Sequence, residues 1–464
     1  MNFASEEYSA SEANAVSAAM ESMTIAPRGD REAAVAVVCP FSSGELLAER
    51  ARELGYKLVL VFLAAKMEEG VLSCQVEGDY EVFYTGDDAE TARILQDLPV
   101  DVQLVVPGAE NGVVVADYLA AAMGLVHNPT ELSIARRSKY LMGETIRLAG
   151  VRAVKQTISV DWDEIERFVL DWNPSPFKVI VKPNASAGSD DVFLCKNIDE
   201  VRAAFDCING AINEFGEVNE GVLVQEFLEG IEYVVDSVSR NGEHKVVAIW
   251  QYDKRSLNGQ FNNYFGMQLR AATTELEEAL VAYNAEVLDA LQINHGPSHA
   301  EIFVTRDSIV LVEVGSRIHG GHGTWKPLAQ AAYGYNQIDE TLNSYLRPDL
   351  FEALPPFPTE LRVNAREVFL VNRFDGILRS LDGMERVRGM SSFLKEDLSV
   401  APGSRMTKTI DLFTMPGRVQ LLHADAEQVN QDYVRIHEML LDGDVFEVVQ
   451  DTKAIQAEEG PAEE

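Results

Sequence analysis

From residue 31 the chain alternates short β-branched runs with stretches of helical period. Residues 34–38 read as a strand, Pro40-Phe41-Ser42-Ser43-Gly44 as a turn, and the stretch up to Leu54 as a helix. Further strands are expected at 58–65, 81–84 and 102–106, the last leading through Pro107-Gly108 into a helix that ends near Gly124. Strands separated by helices build a parallel sheet covered on both faces. Past Pro129 the pattern changes. The spacing predicts a helix over 133–149, stopped by Gly150, then a mixed α+β region with longer strands at 179–182, 221–226, 233–239 and 245–251. Asn241-Gly242, between the last two, is the best hairpin signal in the chain, because both residue types accept the positive φ of a tight turn. Helices over 199–209 and 273–291 carry apolar stripes, Val201, Phe205 and Ile208 on the first and Leu276, Leu280, Tyr283, Val287 and Leu291 on the second. Four prolines (Pro348, Pro355, Pro356, Pro358) open a terminal region that ends in an acidic, frayed segment at 457–464.

The expected division is a tail at 1–30, a parallel α/β domain at 31–129, mixed units at 130–220 and 221–345, and a C-terminal α+β region at 346–464. The fold class is therefore multidomain α/β and α+β. Composition agrees: at roughly 150 residues per domain, the chain holds about three domains. Its 39 basic residues against 74 acidic ones leave a formal charge of −35. So negative a surface repels phosphate backbones and anionic lipid, which speaks against nucleic-acid and membrane partners. Apolar runs such as 58–65 are far shorter than the roughly 18 residues of a bilayer-spanning helix. The first thirty residues lack the basic and apolar segments of a secretory signal, so a cytoplasmic protein is expected. Cys39, Cys74, Cys195 and Cys207 lie far apart without CxxC spacing and read as reduced core residues.

Three constellations carry chemistry. In the first, Val179-Ile180-Val181-Lys182-Pro183 runs into Asn184-Ala185-Ser186-Ala187-Gly188-Ser189. Small side chains let backbone N–H groups approach an anion, and a strand-end lysine supplies a point charge for phosphate. In the second, the strand 222–233 breaks at Leu228-Glu229-Gly230, which frees backbone groups to read a planar heterocycle's edge and leaves a later carboxylate to grip hydroxyls. The third is the strongest: His299-Ala300-Glu301-Ile302-Phe303-Val304, a turn at Arg306-Asp307-Ser308, then Ile309 to Arg317. His299 and Glu301 share a strand face. A three-residue loop at 306–308 sets Glu301 opposite Glu313, whereas a two-residue turn separates them to opposite faces. Two opposed carboxylates repel unless a cation lies between them, and oxygen-only ligands favour magnesium. Arg317 is placed to clamp a phosphoryl group or an oxyanion, with His299 as a second candidate catalytic residue. The loop His319-Gly320-Gly321-His322 lines or rims a substrate space, its HxxH spacing lacking the further ligands of a zinc site. The cluster Arg136, Arg137 and Lys139 reads either as helix-surface cations or as a phosphate contact through Lys139.

In order, Arg136-Arg137-Ser138-Lys139-Tyr140, Val181-Lys182-Pro183 with its loop, Gln225-Glu226-Phe227-Leu228-Glu229-Gly230-Ile231-Glu232-Tyr233 and the Glu301, Glu313, Arg317 set resemble the ATP-grasp superfamily. Upstream, Val105 to Gly112 and Leu125-Val126-His127-Asn128-Pro129 are similar to the N-terminal domain of its carboxylate–amine ligase branch, which contains the L-amino acid (dipeptide) ligases. The resemblance covers roughly residues 33–345 and implies a Rossmann-like N-terminal domain followed by an ATP-grasp fold. It implies that Lys139, Lys182, Ser186, Gly188 and Ser189 hold ATP phosphates. The nucleotide's base would lie along Gln225, Glu226, Phe227 and Leu228, and its ribose on Glu232. Glu301 and Glu313 would hold Mg²⁺, with Mn²⁺ as a possible substitute. The implied activity is amide or peptide bond formation through an acyl phosphate, releasing ADP and phosphate, by a homodimer. A bicarbonate-activating carboxylase and a non-catalytic nucleotide-binding regulator are the alternatives. One departure is Gly315, where many members carry Asn. Lys254, Arg255 and Arg270 are further candidate anchors for a substrate carboxylate.

Overall fold

The computed structural model describes residues 31–63, 73–186, 190–213 and 216–449. The tail expected at 1–30 and the acidic end at 457–464 lie outside them. β1 (Glu32–Val38), β2 (Lys57–Phe62), β3 (Tyr80–Phe83) and β4 (Val100–Pro107) form a parallel sheet in the order β3-β2-β1-β4. Residues Ala34 to Val38 of β1 are wholly buried, which is why that strand is continuously apolar rather than alternating. The loops after β1 and β4 touch through glycines. A Cβ on Gly44 would lie 2.7 Å from Gly108 Cα, and one on Gly112 would lie 2.6 Å from the Val38 carbonyl oxygen.

β5 (Gln156–Ser159), β6 (Val179–Pro183), β7 (Phe193–Cys195) and β8 (Val222–Glu226) make an antiparallel sheet in the order β5-β8-β6-β7. Helices Trp162–Trp172 and Ile198–Ile208 cover it through Ile165, Val169, Val201 and Phe205. Because β8 belongs here, the division expected at 220/221 falls after Glu226 instead. The helix expected over 133–149 is Lys139–Leu148, and the Ser138 hydroxyl accepts a hydrogen bond from the Leu141 N–H as its cap. It starts late because Arg136 is not a helix-surface cation. Its guanidinium is fully buried and donates to Asp117 Oδ2 at 2.9 Å, Pro129 O at 2.6 Å and Leu291 O at 2.9 Å, pinning irregular chain between two domains.

β9 (Gly230–Arg240), β10 (Glu243–Leu257), β11 (Gln260–Arg270), β12 (Gly296–Thr305) and β13 (Ile309–Gly315) follow. The C-terminal strands are β14 (Asn364–Leu370), β15 (Gly376–Ser380), β16 (Phe393–Leu398), β17 (Arg405–Met406), β18 (Gly417–His423) and β19 (Glu447–Val449). Eight of these form one sheet, β13-β12-β9-β10-β11-β14-β18-β16, while β17-β15-β19 pair separately. The region expected as a distinct C-terminal domain thus extends the preceding sheet by three strands. The β9–β10 hairpin turns at Asn241 and Gly242, both at positive φ (51° and 77°), as the sequence predicts. Val234 and Trp250 on one face of the large sheet pack toward the N-terminal domain. Tyr233, Val235 and Ile249 on the other pack against helix Glu275–Ala290.

Glu301 pairs with Glu313, by a different route from the one expected. Residues 306–308 join the two strands as expected, but the innermost pair is Val304 with Ile309, a register that alone would oppose Glu301 to Val312. A bulge at Val312 advances the ladder by one residue and restores the carboxylate pair.

Candidate active site

A cavity of about 550 Å³ lies between the small antiparallel sheet and β9–β13. Strand β6 ends in Lys182, which is 6% exposed, and burial pushes its ammonium down to about 8 against the attraction of Glu313. Lys139, at the start of its helix, donates to the Ser186 carbonyl at 2.6 Å and pairs with Glu313 Oε2 at 2.7 Å. Ser186 Oγ donates to Asp190 Oδ2 at 2.6 Å. Gly188 and Ser189 lie outside the described residues.

The chain leaves β8 at Glu226 and enters β9 at Gly230, so residues 227–229 belong to neither ladder while lining the cavity. Phe227 packs edge-on against Phe261 at 6.2 Å. The side chains of Gln225 and Glu226 are structural. Gln225 Nε2 donates to Gln156 Oε1 at 2.8 Å, and the Glu226 carboxylate accepts from the Lys155 N–H at 2.7 Å and from Arg152. Glu232 is 5% exposed and receives Lys254 Nζ at 2.7 Å; burial, aided by Glu301 and Glu313, raises its carboxyl to about 7.

Glu301 and Glu313 form one end of this cavity and also border a second of about 650 Å³. Burial alone would raise Glu301, yet the His299 hydrogen bond and the charges of Lys254, His299 and Lys139 outweigh it and hold the carboxyl well below the usual range. Each carboxylate of the pair therefore has a basic neighbour, Lys139 on Glu313 and His299 Nε2 at 3.7 Å from Glu301. Two opposed carboxylates offering oxygen ligands fit a hard divalent ion.

Arg317 follows β13 and is held by Glu110 of the N-terminal domain, Nε to Oε2 at 2.9 Å. Gly315 beneath them explains the departure from the family pattern. A Cβ there would lie 2.6 Å from Glu110 Oε2 and 3.1 Å from Arg317 Cζ, so any side chain would displace the pair. His319, Gly320 and Gly321 line the second cavity, as does His299. Both histidines converge on Asp236, a fully buried carboxylate on β9. It accepts from His299 Nδ1 at 2.8 Å, His319 Nδ1 at 2.9 Å and Trp250 Nε1 at 2.9 Å. The three side chains lie close enough to suggest a metal site, but the carboxylate's oxygens are already committed to N–H donors. The turn at Ser42 and Ser43 docks on the same loop. Ser43 Oγ donates to Gly320 O at 2.8 Å, and Ser42 Oγ accepts from the His322 N–H at 3.0 Å.

Three expected substrate anchors are corrected. Lys254 lies in the first cavity, bound to Glu232. Arg255 pairs with Asp253 and stacks on Phe265, and Arg270 makes a two-pronged contact with Glu277; neither lines either cavity. Cys207 is exposed, not core, and none of the four cysteines forms a disulfide. Sequence reasoning missed Asp236, Glu110, Glu367 and Arg418. Asp236 had a signal, a lone charge inside the apolar run 233–238; the two C-terminal residues had none.

Comparison with known proteins agrees with this geometry. Residues 175–325 match the model of an ATP-grasp domain. The chain is 28% identical over 414 residues to dapdiamide A synthase of Enterobacter agglomerans, covering 88% of this chain and 96% of that one. It is 21% identical over 245 residues to an L-arginine-specific L-amino acid ligase of Bacillus subtilis, covering 51% of this chain and 58% of that one. The crystal structure of an L-amino acid ligase from Bacillus licheniformis superposes with a TM-score of 0.69 at 18% identity, over 91% of this chain and 100% of that one. Residues 175–325 thus carry an ATP-grasp domain, and over most of its length the chain is similar to ligases that contain one.

Proposed function

We propose that the enzyme transfers the γ-phosphoryl group of ATP to a substrate carboxylate, and that an amine then displaces phosphate from the acyl phosphate. The products are an amide or peptide bond between amino acid substrates, ADP and phosphate. The observation that carries this reading is the meeting of two cavities at Glu301 and Glu313, one lined by Lys139 and Lys182, the other by Arg317. The names of the relatives, a synthase and amino acid ligases, support it.

In this reading Lys139, Lys182 and the loop from Ser186 through Gly188 and Ser189 hold phosphates. The main chain of Glu226 and Leu228 takes the adenine beside Phe227, and Glu232 takes the ribose. Glu301 and Glu313 hold Mg²⁺, which when bound neutralises charge on the transferring group, and Mn²⁺ can substitute. Arg317, oriented by Glu110, stabilises the phosphoryl group and the oxyanion formed when the amine attacks. His299, hydrogen-bonded to Asp236, positions Glu301. Catalysis is mostly placement and charge neutralisation. We place the reaction in the cytoplasm, where the free cysteines stay reduced, and assign a homodimer, which light scattering tests.

Product analysis decides the chemistry. With ATP and pairs of amino acids, ADP and phosphate are expected, and hydroxylamine in place of the amine should yield a hydroxamate. Release of AMP and pyrophosphate would overturn the acyl-phosphate route, and ATP turnover that depends on bicarbonate alone would assign a carboxylase.

A further inference from the structure

The second cavity runs well beyond the reacting centre. Its floor passes from Glu301 on β12 to Tyr252 on β10, Met267 on β11 and Glu367 on β14. Strands β9, β10 and β11 separate β12 from β14, so at about 4.8 Å per strand the two glutamates stand roughly 19 Å apart along the sheet. Tyr252 pairs with Met267 and Met267 with Glu367, which keeps these side chains on one face.

Glu367 is unusual for its place. It is 1% exposed, and its Oε1 has no hydrogen-bond partner among the described residues. Its cross-strand neighbour Gln420 donates Nε2 to Thr324 O at 2.6 Å, and Gln420 Oε1 likewise has no partner. A buried acceptor left unpaired destabilises the fold, more so for a charged group, unless something completes it. The charges around this end favour a cation. Burial pushes the Glu367 carboxyl up and Asp397 adds to the rise, while the charge of Arg418 and a hydrogen bond with Thr324 oppose it, so two acids face one guanidinium. That guanidinium is partly committed, with Nη1 donating to Gly321 O at 2.5 Å and to Thr324 Oγ1 at 3.0 Å. His322, also at this end, is pushed below its ordinary value by burial and adds no charge at neutral pH.

We propose that this end of the cavity is a subsite for an ammonium or guanidinium group that one substrate carries remote from its reacting atom, with the Glu367 carboxylate as its acceptor. The inference rests on the ligase reading above and adds to it a class of substrate, one bearing a distal cation.

The test compares L-lysine with L-norleucine, which matches its chain without the charge, in wild type and Glu367→Gln, by ADP release across a panel of acid and amine partners. Lysine should exceed norleucine in kcat/KM by about tenfold or more in wild type, and Glu367→Gln should erase that preference, as loss of a charged hydrogen bond predicts. Thermal melting of Glu367→Gln should match or exceed wild type, since an amide replaces a buried carboxyl with one oxygen unpaired. If the variant melts early instead, Asp397→Asn takes its place and should lower the same ratio by a smaller factor. A preference unchanged in these variants, or absent from wild type, overturns the subsite. If wild type releases no ADP with any pair, the ligase reading fails. The subsite is then judged by calorimetry, where L-lysine bound no more weakly by Glu367→Gln than by wild type would sink it.

Discussion

The two cavities share Glu301 and Glu313 yet are built in opposite ways. The nucleotide cavity takes its key groups from compact runs of chain: Lys139, Lys182 with Ser186, residues 225–232, and the β12–β13 hairpin. The second is assembled from Ser42 and Glu110 of the N-terminal domain, the loop from Arg317 to Trp325, and Glu367, Asp397 and Arg418 of the C-terminal strands. ATP is the same molecule for every family member, so contiguous motifs can serve it. The second cavity is formed where three parts of the chain meet, so its lining can change without disturbing the first.

The largest effect is expected at the shared boundary. Glu313→Ala should lower kcat by about a thousandfold, the several kcal/mol a metal ligand supplies, and wild-type turnover would dissolve the comparison. Lys182→Ala should next raise KM for ATP by about thirtyfold or more, as loss of a buried phosphate partner predicts, while KM values for the acid and amine stay near wild type. Arg418→Ala should do the reverse. Freeing Gly321 and Thr324 should raise an acid or amine KM by about tenfold with little change for ATP, and a matching rise for ATP would erase the distinction.

The smallest effect is in pH. Lys182 is charged below about 8 and neutral above it, so ATP affinity measured by calorimetry should fall severalfold as pH rises through that value. Binding should draw in protons there. For the fold the sign is opposite. The unfolded lysine at its ordinary 10.5 holds a proton that the folded one has lost, so this residue's contribution to stability rises with pH between about 8 and 10.5. Affinity flat across that range would mean that Lys182 does not contact phosphate.

Legibility followed the same divide. Lys182 at a strand end, the strand break expected at 228–230 and found at 227–229, and the Glu301–Glu313 pairing could be read because each depends on neighbours a few residues away. The pairing shows how far such reading reaches. The loop at 306–308 and the carboxylate pair are as expected, but the innermost pair is Val304 with Ile309, and the bulge at Val312 that restores the register leaves no mark in hydrophobic pattern. The late start of helix Lys139–Leu148 was missed for a related reason, because a buried Arg136 and a surface arginine have the same periodicity.

By itself the sequence determined that the chain is a multidomain α/β protein with the ordered ATP-grasp motifs, because strand alternation, turn residues and phosphate-approaching loops are local consequences of side-chain shape and backbone freedom. Only the tertiary structure decided that the C-terminal strands continue the large sheet, that Arg255 and Arg270 line neither cavity, and that Glu367 keeps one oxygen unpaired at the far end of the second cavity. Those outcomes depend on which distant strands lie side by side. Burial, and with it the energy of a charge, is a property of that assembly rather than of any short stretch of chain.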